Sequence, residues 1–253
     1  MPAPLVLPGS PVWIDLLTSD PEQALVFYGR LFGWTASELG HDFDGYVRWK
    51  KHDLPVAGMT ANSSPAPDAW TVYLETDDIE RTAARVKAEA GSIFLQKKLG
   101  DLGELLLLSD NTGAMLGAWQ PETFPGFGVV SESDTPVWHE LHTSDYSAAL
   151  AFYRDVFDWE SESIGDGDDF RMSTLGAGDS AVAGIFDASR ELGDGGASHW
   201  LIYFGTADAD ASAERVVQLG GSLTAPVENT EYGRLVFAAD PTGASFALLQ
   251  EPV

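Results

Sequence analysis

The sequence predicts an α+β fold built from four strand–helix–strand–strand–strand modules, arranged as two tandem halves that each contain two of them. Two sets of internal matches predict it. Pro11 to Trp34 is written again at Pro136 to Trp159, and at a shift of 125 the two stretches agree at 13 of 24 positions. A second set follows at a shift of 130: Trp70 with Trp200, Gly91 with Gly221, Asp110 with Asp240 and Gly113 with Gly243. The second set falls on another strand-then-helix pattern, which divides each half into two modules.

The elements follow in order. Met1 to Ser10 reads as an arm, broken by Pro2, Pro4 and Pro8 and without Lys or Arg, so it lacks the basic and continuous apolar regions of an export signal. Val12 to Leu17 is β-prone. Thr18-Ser19-Asp20-Pro21-Glu22 carries a helix cap with Pro in the first turn and Glu22 three places after Ser19. The helix it opens puts Ala24, Phe27, Tyr28 and Leu31 on one face, a core face against a sheet, and Gly33 stops it. Strands separated by turns are expected up to Met59, with a hairpin at Asp44-Gly45 before Tyr46 to Trp49. Asn62 to Asp68 is a loop. Trp70 to Glu75 is the next strand, Asp77 or Asp78 caps a helix running to about Ala90, and Gly91 is its stop. Strands near Ile93 to Gln96, Glu104 to Leu108 and Met115 to Trp119 complete the half.

The expected first domain is therefore residues 1–120, with a Pro- and Gly-containing linker at 121–135 and a second domain at 136–253. The second domain repeats the order. Its five added residues are expected at Asp166-Gly167-Asp168-Asp169 and Gly193-Asp194-Gly195-Gly196, both of which read as turns.

Composition narrows the function. The 253 residues carry 39 acidic and 14 basic side chains, a formal charge of −25, which disfavours nucleic acid, anionic membranes and polyphosphates as partners. A small neutral or cationic ligand is compatible with that charge. There is no cysteine, hence no disulfide, thiolate nucleophile or thiolate metal site. No apolar run reaches the ~20 residues of a membrane helix. A soluble, cytoplasmic protein is the expectation.

Four such modules, with Phe-Tyr pairs at Phe27-Tyr28 and Phe152-Tyr153 and turns at Asp110 to Gly113 and Asp240-Pro241-Thr242-Gly243, resemble the vicinal oxygen chelate superfamily. That superfamily includes glyoxalase I, extradiol dioxygenases and the fosfomycin- and bleomycin-resistance proteins. Within it the chain is most similar to two-domain actinobacterial proteins called glyoxalase-like or hydroxylase-like. The resemblance implies mixed sheets curled into cups. It also implies, for the metal enzymes, a His at a strand start and a Glu near the end of another strand as ligands of a divalent cation.

Those positions carry other residues here. The strand-start His falls on Trp13 and Trp138, and its counterpart in the second module of each half on or beside Thr71 and Leu201. The last-strand Glu becomes Gly117 and Ala247, and the remaining carboxylate position falls near Gly58 and Gly184. No metal site of the family's type, and no other cofactor, is expected.

Strand alternation supplies replacement candidates. With Trp13 facing the cavity, Asp15 and Leu17 face it too, and Trp138, Glu140 and His142 do so in the second half. Alternation from Thr71 adds Tyr73 and Glu75, and from Leu201 adds Tyr203. The expected ligand-binding set is Trp13, Asp15, Tyr73, Trp138, Glu140, His142 and Tyr203, walls suited to a small, flat or aromatic organic molecule. Glu140, His142 and Asp15 are the catalytic candidates, and Glu140 with His142 is the one place for a divalent metal, two ligands short of a usual site. His139 should face away from Glu140, while His199 lies near a strand start. His41 and His52 sit in loop-like stretches without partners.

Three functions stay open at this point. One is metal-independent binding of a small molecule, for sequestration, resistance or stress response. Another is a glyoxalase-, lyase-, isomerase- or hydroxylase-like enzyme using Glu140 and His142, or Asp15. The last is a structural protein with filled cups. The duplication is expected to stand in for dimerisation, giving a monomer with an internal pseudo-dimer.

Overall fold

Each half of the repeat closes a sheet of its own. The computed structural model describes residues 6–38, 45–167, 170–193 and 195–252. The first module is β1 (Pro11–Thr18), α1 (Pro21–Phe32), β2 (Thr35–Glu38), β3 (Val47–Lys51) and β4 (Leu54–Ala61). The second is β5 (Ala69–Glu75), α2 (Ile79–Ala88), β6 (Ser92–Lys98), β7 (Gly103–Ser109) and β8 (Met115–Pro121). The third is β9 (Pro136–Thr143), α3 (Tyr146–Phe157), β10 (Ser161–Asp166), β11 (Arg171–Leu175) and β12 (Ala183–Asp187), after which comes a short helix α4 (Ser189–Leu192). The fourth is β13 (His199–Gly205), α5 (Ala209–Gln218), β14 (Ser222–Leu223), β15 (Glu228–Thr230), β16 (Gly233–Ala239) and β17 (Ser245–Gln250).

The first sheet has the order β2-β3-β4-β1-β5-β8-β7-β6 and the second β10-β11-β12-β9-β13-β17-β16-β14, with β15 beside β16. In the first sheet β1 runs parallel to β4, β5 parallel to β8, and the two modules meet through antiparallel β1 and β5. Modules therefore pair within each half. The second sheet repeats this through β9 and β13.

Local chemistry explains the helix limits. Asp20, not Ser19, caps α1, accepting from the Gln23 amide, with Pro21 in the first turn. Ser19 instead donates its amide and hydroxyl to Asp68. Gly33 ends α1 with φ 68°. Asp78 is the cap of α2. Gly91 is not its stop: Ala90 takes the left-handed turn at φ 61°, while a Cβ on Gly91 would lie 2.7 Å from the Ser109 carbonyl oxygen. His52 and Asp53, φ 52° and 64°, form the two-residue turn between β3 and β4. His41, Asp44, Asp168, Asp169 and Asp194 lie outside the described residues.

The core sits between the two sheets, with the helices inside it. Val12, Ile14 and Leu16 of β1 point into it, as do Phe27, Tyr28 and Phe32 of α1. It crosses the halves reciprocally. Tyr28 donates to Asp240 at 3.0 Å and accepts from Trp70, and Tyr153 donates to Asp110 at 3.0 Å and accepts from Trp200. Phe32 meets Phe204 at 4.9 Å between centroids. The Phe-Tyr signature thus docks each half onto the Asp turn of the other, a self-complementary arrangement like that of a two-fold dimer. Burial and the adjacent carboxylate push both tyrosine pKa values well up.

The 121–135 segment is more than a tether. Phe127 and Val129 are buried, the Phe127 amide bonds the Val12 carbonyl, and Phe124 packs edge-on against Trp13 at 4.9 Å.

Candidate functional site

With one face of each sheet turned to the shared core, the other face is free to form a cup. In the first half that face encloses a cavity of about 280 Å³. Trp13, Tyr73, Trp119 and Phe124 form aromatic walls, Leu95, Leu99, Leu102, Leu105 and Leu107 an aliphatic one, and Asp15, Tyr46, Thr71, Arg48 and Lys97 supply the polar groups. A larger hollow of about 370 Å³ lies at the seam of the halves beside the N-terminal arm. Its arginines are already paired, Arg81 with Asp77 and Arg85 with Asp158, so the cup is the stronger site.

Asp15 anchors the polar end. Its Oδ1 accepts from Trp13 Nε1 at 2.9 Å and from the Tyr46 hydroxyl at 2.5 Å, and Tyr73 interacts with the same carboxylate. Trp13 Nε1 also lies 2.8 Å from the Tyr46 oxygen. Burial raises the Asp15 pKa above the usual carboxylate value, outweighing the lowering by Tyr46, Trp13, Tyr73 and Arg48. The phenols of Tyr46 and Tyr73 are pushed well up, first by burial and then by the Asp15 charge.

Gly58 makes the cluster possible. It lies in register between Asp15 of β1 and Arg48 of β3, and a Cβ there would be 1.8 Å from the Tyr46 oxygen and 2.1 Å from Asp15 Oδ1. Gly117, opposite Tyr73 on β8, is likewise covered: a Cβ would lie 2.1 Å from the Tyr73 ring. The four positions at which the resemblance puts metal ligands are thus neighbours across β4, β1, β5 and β8. Their side chains do not supply the superfamily's ligands, because Trp13 offers only an N–H donor, Thr71 only a hydroxyl and the glycines none, and the space above the glycines is taken by the Tyr46 hydroxyl, the Asp15 carboxylate and the Tyr73 ring.

In the second half the predicted partners also converge. Glu140 accepts from Trp138 Nε1 and from the Tyr203 hydroxyl, each at 3.0 Å, and His142 Nε2 lies 2.9 Å from its Oε1. His199 stacks on His142 at 5.2 Å and contacts the Ala197 carbonyl through Nδ1. Burial raises the Glu140 pKa, but His142, Trp138 and Tyr203 more than offset it and hold it below the usual value. Of the two candidate carboxylates, Asp15 is therefore the one shifted up and Glu140 the one shifted down. Among the described residues no three His, Asp or Glu side chains gather as a metal site, so the Glu140 and His142 pair finds no third ligand.

Other expectations resolve individually. His139 does face away from Glu140 and is buried against Phe127, with its Nε2 unpartnered and its pKa lowered by burial to about 4. Glu75 is not in the cup. It lies by Gly9 and Asp77 at the seam of the halves. Tyr46, Arg48 and Phe124 belong to the site and were missed. Alternation with buried Val47 and Trp49 puts Tyr46 and Arg48 on the cup side and was the available signal, whereas nothing local marks Phe124.

Comparison with known proteins bears on the family and the fold. The profile of the Glyoxalase/Bleomycin resistance protein/Dioxygenase superfamily matches residues 136–248. The Mycobacterium tuberculosis protein named "Putative glyoxylase CFP32" is 32% identical over 252 residues, covering 96% of this chain and 95% of its own. The chain belongs to this superfamily. Other superfamily relatives include "Anthracycline biosynthesis protein DnrV" of Streptomyces peucetius, 30% identical over 96% of this chain and 94% of its own. Among solved structures, the Mn(II)-bound glyoxalase from Novosphingobium aromaticivorans matches with a TM-score of 0.66 at 13% identity, covering 98% of this chain and 83% of that one. The 2,3-dioxygenase LapB from Pseudomonas sp. KL28 also matches at 0.66 and 13%, covering 97% and 94%. At that identity the two structures speak for the fold alone. The four modules and paired cups are the superfamily's architecture. No helix among the described residues is long and apolar enough to cross a membrane.

Proposed function

We propose that the first cup binds a small, flat, aromatic molecule without help from a metal ion, and that the protein acts as a binding member of its superfamily in sequestration, resistance or the handling of an aromatic metabolite. The observation that carries this reading is the cavity of about 280 Å³ between Trp13, Tyr73, Trp119 and Phe124, whose polar end is the Asp15, Tyr46 and Tyr73 cluster. Its size lies near the lower end of the roughly 300–1,000 Å³ typical of small-molecule sites, enough for two or three fused rings with the mouth open. Ring walls hold ring ligands, and the buried carboxylate and phenols orient an oxygen. The relatives named for anthracycline biosynthesis, DauV and DnrV, support a fused-ring aromatic as the chemical class.

The test is calorimetric titration of EDTA-treated protein with 2-naphthylmethanol. Binding at one site, abolished by Leu107→Trp in the first cup and retained by Phe237→Ala in the second, where Phe237 packs edge-on against Tyr203, is the expected result. A requirement for added metal, or binding lost only in the second cup, rejects the reading.

A catalytic version is favoured by one observation, the raised pKa of Asp15 against the lowered pKa of Glu140. Asp15 then serves as the base toward a carbon acid, and Asp15→Asn abolishes turnover of an activated aromatic ketone while binding survives. Turnover lost with Glu140→Gln instead rejects that assignment.

A further inference from the structure

The charge in the first cup is opposite to the charge of the protein. Carboxylates outnumber cations 39 to 14 over the chain, yet the cavity lining holds two cations, Arg48 and Lys97, and one carboxylate, Asp15; Lys97 is engaged in an interaction of its own, and Arg48 is the cation from which the ligand's charge is read. That carboxylate is engaged: Trp13 and Tyr46 donate to it and Tyr73 interacts with it. Asp15 and Arg48 are separated by Gly58 and form no ion pair within 4.0 Å.

Arg48 is held ready for something else. Its Cζ lies 4.1 Å over the Phe124 ring, which fixes the guanidinium plane at the cavity wall. Its Nε is buried with no hydrogen-bond partner. A buried guanidinium donor left unmade is costly, and a guanidinium offers a planar fork of donors that matches an oxyanion. Asp15 and Tyr46 act on this guanidinium as nearby charges, but no group among the described residues accepts from its Nε.

We infer that the ligand of the first cup is an organic anion, a flat apolar ring system whose carboxylate or phenolate oxygen is received by Arg48 while the rings lie between Trp13, Tyr73 and Trp119. The inference rests on the aromatic-binding reading above and adds the charge of the ligand to it. It also goes beyond the reading, drawn from the overall charge of −25, that a small neutral or cationic molecule is compatible with this protein. The site's own field, set by nearby groups in a low-dielectric wall, decides over charges spread across a screened surface. The distant carboxylates slow the anion's approach and are attenuated by salt, whereas a direct guanidinium contact is not.

The experiment uses probes that differ in charge. Calorimetric titration at pH 7 compares 2-naphthoate and 2-naphthol with 2-naphthylmethanol, in the natural protein and in Arg48→Gln and Arg48→Lys. The expected result is that 2-naphthoate binds about ten- to a hundredfold more tightly than 2-naphthylmethanol, the range of a charge-assisted contact. The ratio of the two affinities falls toward one in Arg48→Gln and is partly restored in Arg48→Lys. Reading the ratio within each variant removes any loss caused by looser packing of Phe124. If 2-naphthol binds like the carboxylate and its affinity rises as the phenol ionises, the oxyanion is a phenolate; if it binds like the alcohol, it is a carboxylate. Equal binding of the charged and neutral probes, unchanged by Arg48→Gln, overturns the anion inference and leaves the aromatic reading standing. Binding of none of the probes overturns both.

Discussion

His139 makes the stability of this protein depend on pH in a definite window. Its side chain is buried, its Nε2 has no partner, and its pKa falls from an ordinary 6.5 to about 4, first through burial, with a backbone hydrogen bond at Val182 opposing. Between those values the unfolded chain takes up a proton at this imidazole and the folded protein does not. Stability therefore rises with pH here: it is complete above pH 6.5 and is lost as pH falls toward 4. At about 1.4 kcal/mol per pKa unit, the loss from this one residue reaches about 2.5 kcal/mol near pH 4.5. Urea unfolding at pH 7.5, 6.0 and 4.5 measures it, with His139→Gln as the control, since Gln keeps a donor for Val182 and does not titrate. His199, also lowered by burial, and the carboxylates are present in both proteins and cancel in the difference. The natural protein should lose about 2.5 kcal/mol more than the variant over that range. Parallel curves refute the claim that His139 is held neutral by burial.

The remaining predictions concern the site and the interlock. Gly58→Ala should weaken 2-naphthoate binding at least tenfold and cost about 1–3 kcal/mol in urea unfolding, because its Cβ displaces the Tyr46 hydroxyl from Asp15; an unaltered affinity removes Gly58 from the site. Tyr28→Phe and Tyr153→Phe should destabilise by similar amounts, about 2–4 kcal/mol each, since each leaves a buried Trp N–H and a buried Asp oxygen short of a partner. A large difference between them contradicts the reciprocal docking of the halves. Glu140, with its pKa held down, should stabilise the fold above the ordinary carboxylate pKa and lose that contribution as pH falls through its depressed folded value. Glu140→Gln should flatten that acid limb of the stability profile. Adding Mn²⁺ or Zn²⁺ to EDTA-treated protein should leave 2-naphthoate affinity within about twofold, measured by the same titration, and a larger change argues for a metal in the cup.

What the sequence determined by itself was whatever depends on short-range periodicity. The repeat, the four modules, the helix faces and the inward alternation of Trp13 with Asp15, and of Trp138 with Glu140 and His142, all follow from spacings of two to four residues along one element. The absence of ligating side chains at Trp13, Gly58 and Gly117 was equally legible, since it needs only residue identity at a known place in the pattern. The tertiary structure decided the rest. Tyr46 reaches Asp15 from 31 residues away, and only because β3, β4 and β1 are neighbours with Gly58 in register between them. Phe124 enters the cup from a segment that reads as a linker. Glu75 leaves the cup although its spacing points inward, because the strand has reached the seam of the halves where Gly9 and Asp77 meet it. Protonation followed the same division: Asp15 and Glu140 occupy matching places in the repeat, yet one pKa rises and the other falls, since His142 stands beside only one of them. Cross-strand register, desolvation and the field inside a cavity are sums over residues distant in the chain. No local pattern contains them.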